Sequence, residues 1–395
     1  KGFTMINQTQ QTLYRLSNLD AQQQKVSYQM STGKILQQGS DDSLLYSREI
    51  LVDDKIRTFE GLKTQVERTN TQNKVADSSM SEIKKILEFV KAELIKANTA
   101  TTSEDGLKAI AANLSGMKQN LLDLANTQAE GEYVFSGSDS AVKPFEVDSE
   151  GNVTYVGNNK LRRVAVEEGS YRERGVTGLD MMMYPSSTAY KGETLTFNEK
   201  DRIIDQDGNE WKFIDQDNAD SDNNITTNVE KDKLYKFDLD GNLTADIPLT
   251  VDGTNAPVYT IQAPAADGTK FEAKTNIFNI IDDAVDTLKL LDSDGNSISL
   301  ADARTGIANV QNKISKAFDS VNVSHAELGG RNKVFEVSLE RLSSKLTHYN
   351  ILSQELGAAN LSKVAMEAKA LELTYTALYS TISKTNQLSL VNFMN

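Results

Sequence analysis

Few side chains in this chain could do chemistry, and each candidate fails on its surroundings. Ser31-Thr32-Gly33-Lys34 sets a hydroxyl three residues before an amine, the S-x-x-K spacing of an activated serine nucleophile. No K-T-G follows, and Ser40-Asp41-Asp42 lies too close to serve as the second motif. As a phosphate loop the stretch also fails, because Tyr28 stands where the first glycine belongs and Ile35 replaces the hydroxyl. His325 and His348 are 23 residues apart, with no cysteine or clustered carboxylates beside them, so they read as packing or solvated residues rather than metal ligands. Asp205, Asp207, Asp215, Asp217, Asp220 and Asp222 resemble a calcium loop at first sight. Counted from Asp205, the sixth and twelfth positions hold Glu210 and Gln216, where such a loop needs glycine and glutamate. Turns on a solvated surface are the better reading. No residue is expected to be catalytic, to bind a cofactor or to hold a metal, so a non-enzyme is expected.

Composition narrows the class further. The chain of 395 residues has a formal net charge of −14, which argues against nucleic acid as a partner. No apolar run approaches the roughly 20 residues of a membrane helix, so no membrane partner is expected. Lys1 to Leu13 lack an apolar h-region, so no cleaved secretory signal is expected. Cysteine is absent, which suits a protein secreted unfolded. The charge is uneven: between Glu199 and Asp252 there are 15 acidic and 6 basic residues, a net of −9.

The elements that must position these residues follow from proline and periodicity. All five prolines lie between Pro144 and Pro264, and proline inside a helix costs roughly 3 kcal/mol. Both ends are therefore free to be long helices. Ile6, Leu13, Leu16, Val26 and Met30 form a narrow stripe among Gln, Thr and Ser, closer to a coiled-coil seam than to a globular helix. Ser40-Asp41-Asp42 caps a second helix reaching about Ala97, and Ser103-Glu104-Asp105 caps a third over roughly 103–129. Tyr133-Val134-Phe135 reads as a strand. Glu150-Gly151-Asn152, Asp207-Gly208-Asn209 and Asp240-Gly241-Asn242 then mark hairpins between alternating runs such as Val153–Val156 and Trp211–Ile214. A fourth copy, Asp294-Gly295-Asn296, falls after helix has resumed at Asn276. Helix continues through 300–328, and from Phe335 an unbroken seam runs through Leu339, Leu342, Leu346, Leu356 and Leu373 to Ala377. The fold expected is α+β and multidomain, with paired N- and C-terminal helices in a long coiled coil and central antiparallel β-rich domains. Such a chain is built like the subunit of a polymer, because two helices alone leave their outer faces wet.

Four stretches resemble the flagellin family. QMSTGKILQQGSDDSLLYSREI (29–50) is similar to its S-S/T-G-K…PSDDP loop, with Gln38-Gly39 where proline is common. LLDLANTQAEGEYVFSGSDSAVKPF (121–145) looks like the stretch where a helix gives way to a strand and a Phe-Ser/Ala-Gly turn. VSHAELGGRNKVFE (323–336) is similar to R-A-E-x-G-A-R-x-N, with Ser324 and His325 as departures. TISKTNQLSLVNFMN (381–395) resembles the ending of the members that join hook to filament. The resemblance covers roughly 1–185 and 274–395.

The resemblance implies an extracellular axial subunit of the flagellum, exported by the type III apparatus. It further implies four partners: copies of itself in a ring, the first hook-associated protein, flagellin, and an export chaperone at the C-terminal helix. Four parts are expected: 1–42 with 346–395 for polymerisation, 43–136 with 274–345 as a helical rod, 137–185 as a β-rich domain, and 186–273 as an acidic β insertion. The expected assembly interface comprises Leu13, Leu16, Gly33, Lys34, Ser40, Asp41, Asp42, Leu346, Leu356, Leu373, Leu388, Leu390 and Phe393. The rival reading is a filament flagellin, or a flagellin-like surface protein whose insertion binds glycan or calcium. Against it, Ile83–Phe89 lacks the L-Q-R-x-R-E-L of filament members.

Overall fold

Where proline is missing, helix runs. In the computed structural model the described residues are 2–394 except 150, 191, 199–200, 213–232, 240–241, 249, 253–257, 263–269 and 293–294. Side chains are described except at 2–9, 251, 252, 258, 262 and 385–394. The front carries α1 (Gly2–Thr32), α2 (Ser43–Ala97) and α3 (Glu104–Ala125), and the back carries α5 (Ile277–Leu288), α6 (Leu300–Gly357) and α7 (Leu361–Met394). The chain divides into two compact units, 1–63 with 340–395 and 64–339.

In the smaller unit α1 packs on α7 through Val26, Val364 and Leu371, with Leu19, Ala359 and Ala368 alongside. The ends of α2 and α6 that lie in this unit meet where Phe59 and Tyr349 pack at a tilt with ring centroids 5.3 Å apart.

The larger unit has two cores. In the first, Met80, Ile83, Leu87, Val90 and Leu94 of α2 pack with α3, α5 and the Ile307–Leu328 face of α6. Phe135, Phe145 and Tyr155 add the small β elements to it. Those elements are three two-stranded pairs: β1 (Gln128–Ala129) with β2 (Glu132–Tyr133), β3 (Phe145–Val147) with β4 (Val153–Tyr155), and β5 (Arg163–Glu167) with β6 (Ser170–Glu173). The short helix α4 (Gly178–Met182) leads into the second core. Two antiparallel sheets share it, and their strands are β7 (Met183–Tyr190), β8 (Thr194–Asn198), β9 (Arg202–Asp205), β10 (Glu210–Lys212), β11 (Lys233–Phe237), β12 (Leu243–Pro248), β13 (Thr250–Asp252), β14 (Val258–Gln262) and β15 (Lys270–Asn276). The first sheet has the order β12-β11-β10-β9-β15-β7 and the second β13-β14-β8. Trp211 and Phe271 sit 5.2 Å apart between them, and Phe197 stacks on Tyr259.

Three expectations are corrected. The third helix stops at Ala125, not near 129, because both amide atoms of Asn126 bind the backbone of Phe145 and pull the chain into β3. The strand expected at 133–135 is only Glu132–Tyr133, since Val134 instead bonds back to Thr127 and the Phe135 carbonyl accepts from Gly178. The seam expected to run unbroken from Phe335 to Ala377 is interrupted between α6 and α7. Expectations at Phe213-Ile214 and Asp215 to Asp222 lie outside the described residues.

Candidate assembly interface

The loop 33–42 and the break between α6 and α7 build each other. Gly33 ends α1 at φ +69°, a left-handed conformation that favours glycine. The chain then runs antiparallel to the break: Ile35 N–H bonds to the Gly357 carbonyl, Ala359 N–H bonds to the Gly33 carbonyl, and Lys34 bridges Ala358. Gln29, buried, donates to the Ile35 carbonyl at 2.7 Å. These bonds satisfy backbone groups that a continuous helix would have consumed, so α6 stops without proline. Asn360 then caps α7 by accepting from Lys363 N–H.

The Ser40-Asp41-Asp42 cluster splits its duties. Asp42 is the cap of α2, its Oδ1 accepting from Leu44 and Leu45 amides at 3.1 and 2.9 Å. Asp41 folds the loop, accepting from Gln37 and Gln38 amides, which hold its carboxyl below its ordinary value of 3.8. Ser40 is exposed.

The apolar faces are less covered than the helices suggest. Among described side chains, α1 buries only Val26 and Gln29, and α7 only Val364 and Leu371. Leu13 is 60% exposed and Leu373 63%. Leu16 and Leu356 are half-buried. Leu346 is buried within the smaller unit, so it holds that unit together rather than facing outward. Leu388, Leu390 and Phe393 have side chains outside the described ones. Sequence reasoning left out Tyr14, Leu44, Ile50, Leu51 and Met366, all exposed. For Leu44, Ile50 and Met366 the signal was present, since each falls on the apolar periodicity of its helix. A groove of about 800 Å³ runs between α1 and α7 over Leu19, Val26, Val364 and Leu371.

The stretches weighed for catalysis are structural here. Ser31 and Thr32 donate to the Tyr28 carbonyl and finish α1, while Lys34 is exposed. His325 pairs with Asp77 at 2.9 Å, and His348 packs edge-on against Tyr349. Asp205 accepts from the Asp207 and Asn209 amides, the Asn209 side chain and Trp211 Nε1, and Lys236 lies 3.2 Å away. Among the described residues no group of three or more metal-ligating side chains converges. A cleft of about 390 Å³ lies between β4 and β9–β10. Its rim is self-paired: Arg202 binds Glu210 at 2.6 Å and the Tyr155 carbonyl at 2.8 Å. Among the described residues no helix is long and apolar enough to cross a membrane.

Known proteins supply the comparison. A family profile described as the bacterial flagellin N-terminal helical region matches residues 4–140. Flagellar hook-associated protein 3 of Salmonella typhimurium is 25% identical over 198 residues, 49% of this chain and 61% of that protein. The Escherichia coli protein of the same name is 28% identical over 172 residues, 43% of this chain and 53% of that one. The chain thus spans between half and two thirds of the length of these relatives. The crystal structure of flagellar hook-associated protein 3 from Legionella pneumophila shares the fold, with a TM-score of 0.50 at 19% identity, covering 78% of this chain and 98% of that one.

Proposed function

We propose that this chain is a member of the flagellin family, which its N-terminal region and its relatives resemble, and a structural subunit of the bacterial flagellum, joining hook to filament and catalysing nothing. Its partners in this reading are copies of itself in a ring, the first hook-associated protein on the hook side and flagellin on the filament side. An export chaperone holds its C-terminal helix before passage through the type III route to the cell exterior. Residues 1–42 and 346–395 polymerise, 43–136 with 274–345 form the rod, and 137–185 and 186–273 are β domains.

One observation carries the reading. Of the 23 large apolar side chains exposed among the described residues, 12 lie in the smaller unit, which holds fewer than a third of the residues. Covering one such side chain is worth roughly 1.5–3 kcal/mol, so a ring that covers several per subunit gains far more than a monomer can.

The test is a strain lacking the gene. It should keep its hooks, form no filaments and release flagellin into the medium. Wild-type protein should restore filaments, and Leu373→Asp, placing a charge on the exposed face of α7, should not, although the purified variant unfolds at the wild-type midpoint. Normal filaments in the deletion strain would overturn the reading.

A further inference from the structure

We propose that α6 bends at Gly329-Gly330 and that the facing turn of α2 opens with it, a hinge within the helical pair of the larger unit. The glycines give the first sign. They sit side by side far from either end of a 58-residue helix, where each weakens the helix relative to alanine. A Cβ at either position would meet nothing within 4 Å, and neither has positive φ. Neither close packing nor backbone geometry within this chain therefore requires glycine there, and adjacent small residues are where helices bend.

The second sign is on the opposite helix. The His325–Asp77 contact fixes the antiparallel register of α6 on α2. Carried one turn along, that register sets residues 329–332 of α6 level with residues 70–73 of α2, with Gly329 and Gly330 themselves on the exposed side. That turn offers Thr69, Gln72 and Asn73, which are 3%, 4% and 2% exposed. The layers on either side are apolar, with Val66 and Phe335 to one side and Met80 and Leu328 to the other, all fully buried.

The third sign is unmet hydrogen bonding. Asn70 Oδ1, Asn73 Nδ2 and Asn332 Oδ1 are buried and pair with no other group. Closed, this layer carries the desolvation of three polar atoms, and opening returns it, whereas opening an apolar layer exposes hydrocarbon. A weak helix turn and a layer that gains on opening coincide at one level, and the helical pair yields there first.

Hydrogen exchange on the full-length protein, read by mass spectrometry, tests this. Amides of 326–334 and 66–74 should exchange roughly tenfold faster than those of 307–321 and 80–94. Gly329→Ala/Gly330→Ala should slow exchange in both helices, by roughly fivefold per glycine. Uniform protection along α2 and α6 would overturn the hinge. So would slowing confined to α6, which would be helix propensity alone. So too would loss of assembly with unchanged exchange, which would make the glycines a packing surface for another molecule.

Discussion

At the scale of single residues, Glu132 gathers four side chains around one carboxylate. Its carboxylate accepts from Arg68 and Gln72 of α2 and from Arg162 and Arg174, which flank the β5–β6 hairpin, all within 3.0–3.2 Å. Burial alone would raise its pKa, but the Gln72 bond and the two hairpin guanidiniums outweigh burial and hold it below the ordinary value of 4.5. Glu132→Ala leaves these donors facing one another. It should cost roughly 2 kcal/mol in urea unfolding, between the values for an exposed and a buried pair. A carboxyl with a lowered pKa stabilises fully above its ordinary value and loses that stabilisation as pH falls. Wild-type and variant midpoints should therefore converge below pH 4.5 and separate above it. The aspartates were partly legible in the sequence. At Asp207-Gly208-Asn209 the expected turn is present, but the working residue is the aspartate three before the glycine. Asp148, Asp205, Asp238 and Asp292 each accept from the amide of the asparagine four residues on, at 2.7–2.9 Å, and each binds that side chain too. Only Asp205 also holds a buried indole N–H. Asp205→Ala should cost roughly 2–3 kcal/mol in thermal unfolding and Asp148→Ala about 1 kcal/mol, because only the first orphans a buried donor. Equal costs would mean that the indole bond contributes nothing.

Elements ended where side-chain periodicity could not see. The stripe of α1, the cap of α2 and the restart at Asn276 were readable, since each rests on spacing or on a capping residue within a few positions. The stop at Gly357 was not, because what ends α6 is backbone more than 300 residues away in the sequence, in the Gly33–Ile35 segment. The same reason hid the end of α3, set by Phe145. Local patterns report local energies, and these boundaries are settled by long-range hydrogen bonds. Gly33→Ala tests that dependence. Its left-handed φ should cost about 1 kcal/mol, and displacing the strand at 33–35 should release the paired segment at 357–359. Proteolysis between α6 and α7 should then become faster in the variant, although the cut lies on the far side of the sequence. An unchanged cleavage rate there would show that the break in the C-terminal helices stands without its partner loop.

Taken whole, the molecule joins its two cores through β7 and β15. Those strands pair along their length, and their register sets Ser187 opposite Ala273, so the two backbones lie about 5 Å apart. A short turn can close that gap without strain. Excising 188–272 removes most of the second core, but it also removes Ile204, which packs against the first core, and Arg202, which binds the Tyr155 carbonyl. Lys274, paired with Asp180 at 3.2 Å, and Asn276, which caps α5 and binds the Val153 carbonyl, remain. The first core should therefore survive at a cost of roughly 2–4 kcal/mol, the loss of one buried apolar side chain and one partly buried hydrogen bond. The deletion protein should show one cooperative unfolding transition at a lower midpoint, and in a strain lacking the gene it should still support filaments. A deletion protein that is exported and folded but bears no filament would place the acidic sheets in the assembling contacts. One that fails to unfold cooperatively would show that the two cores form a single folding unit, joined by more than the β7–β15 ribbon.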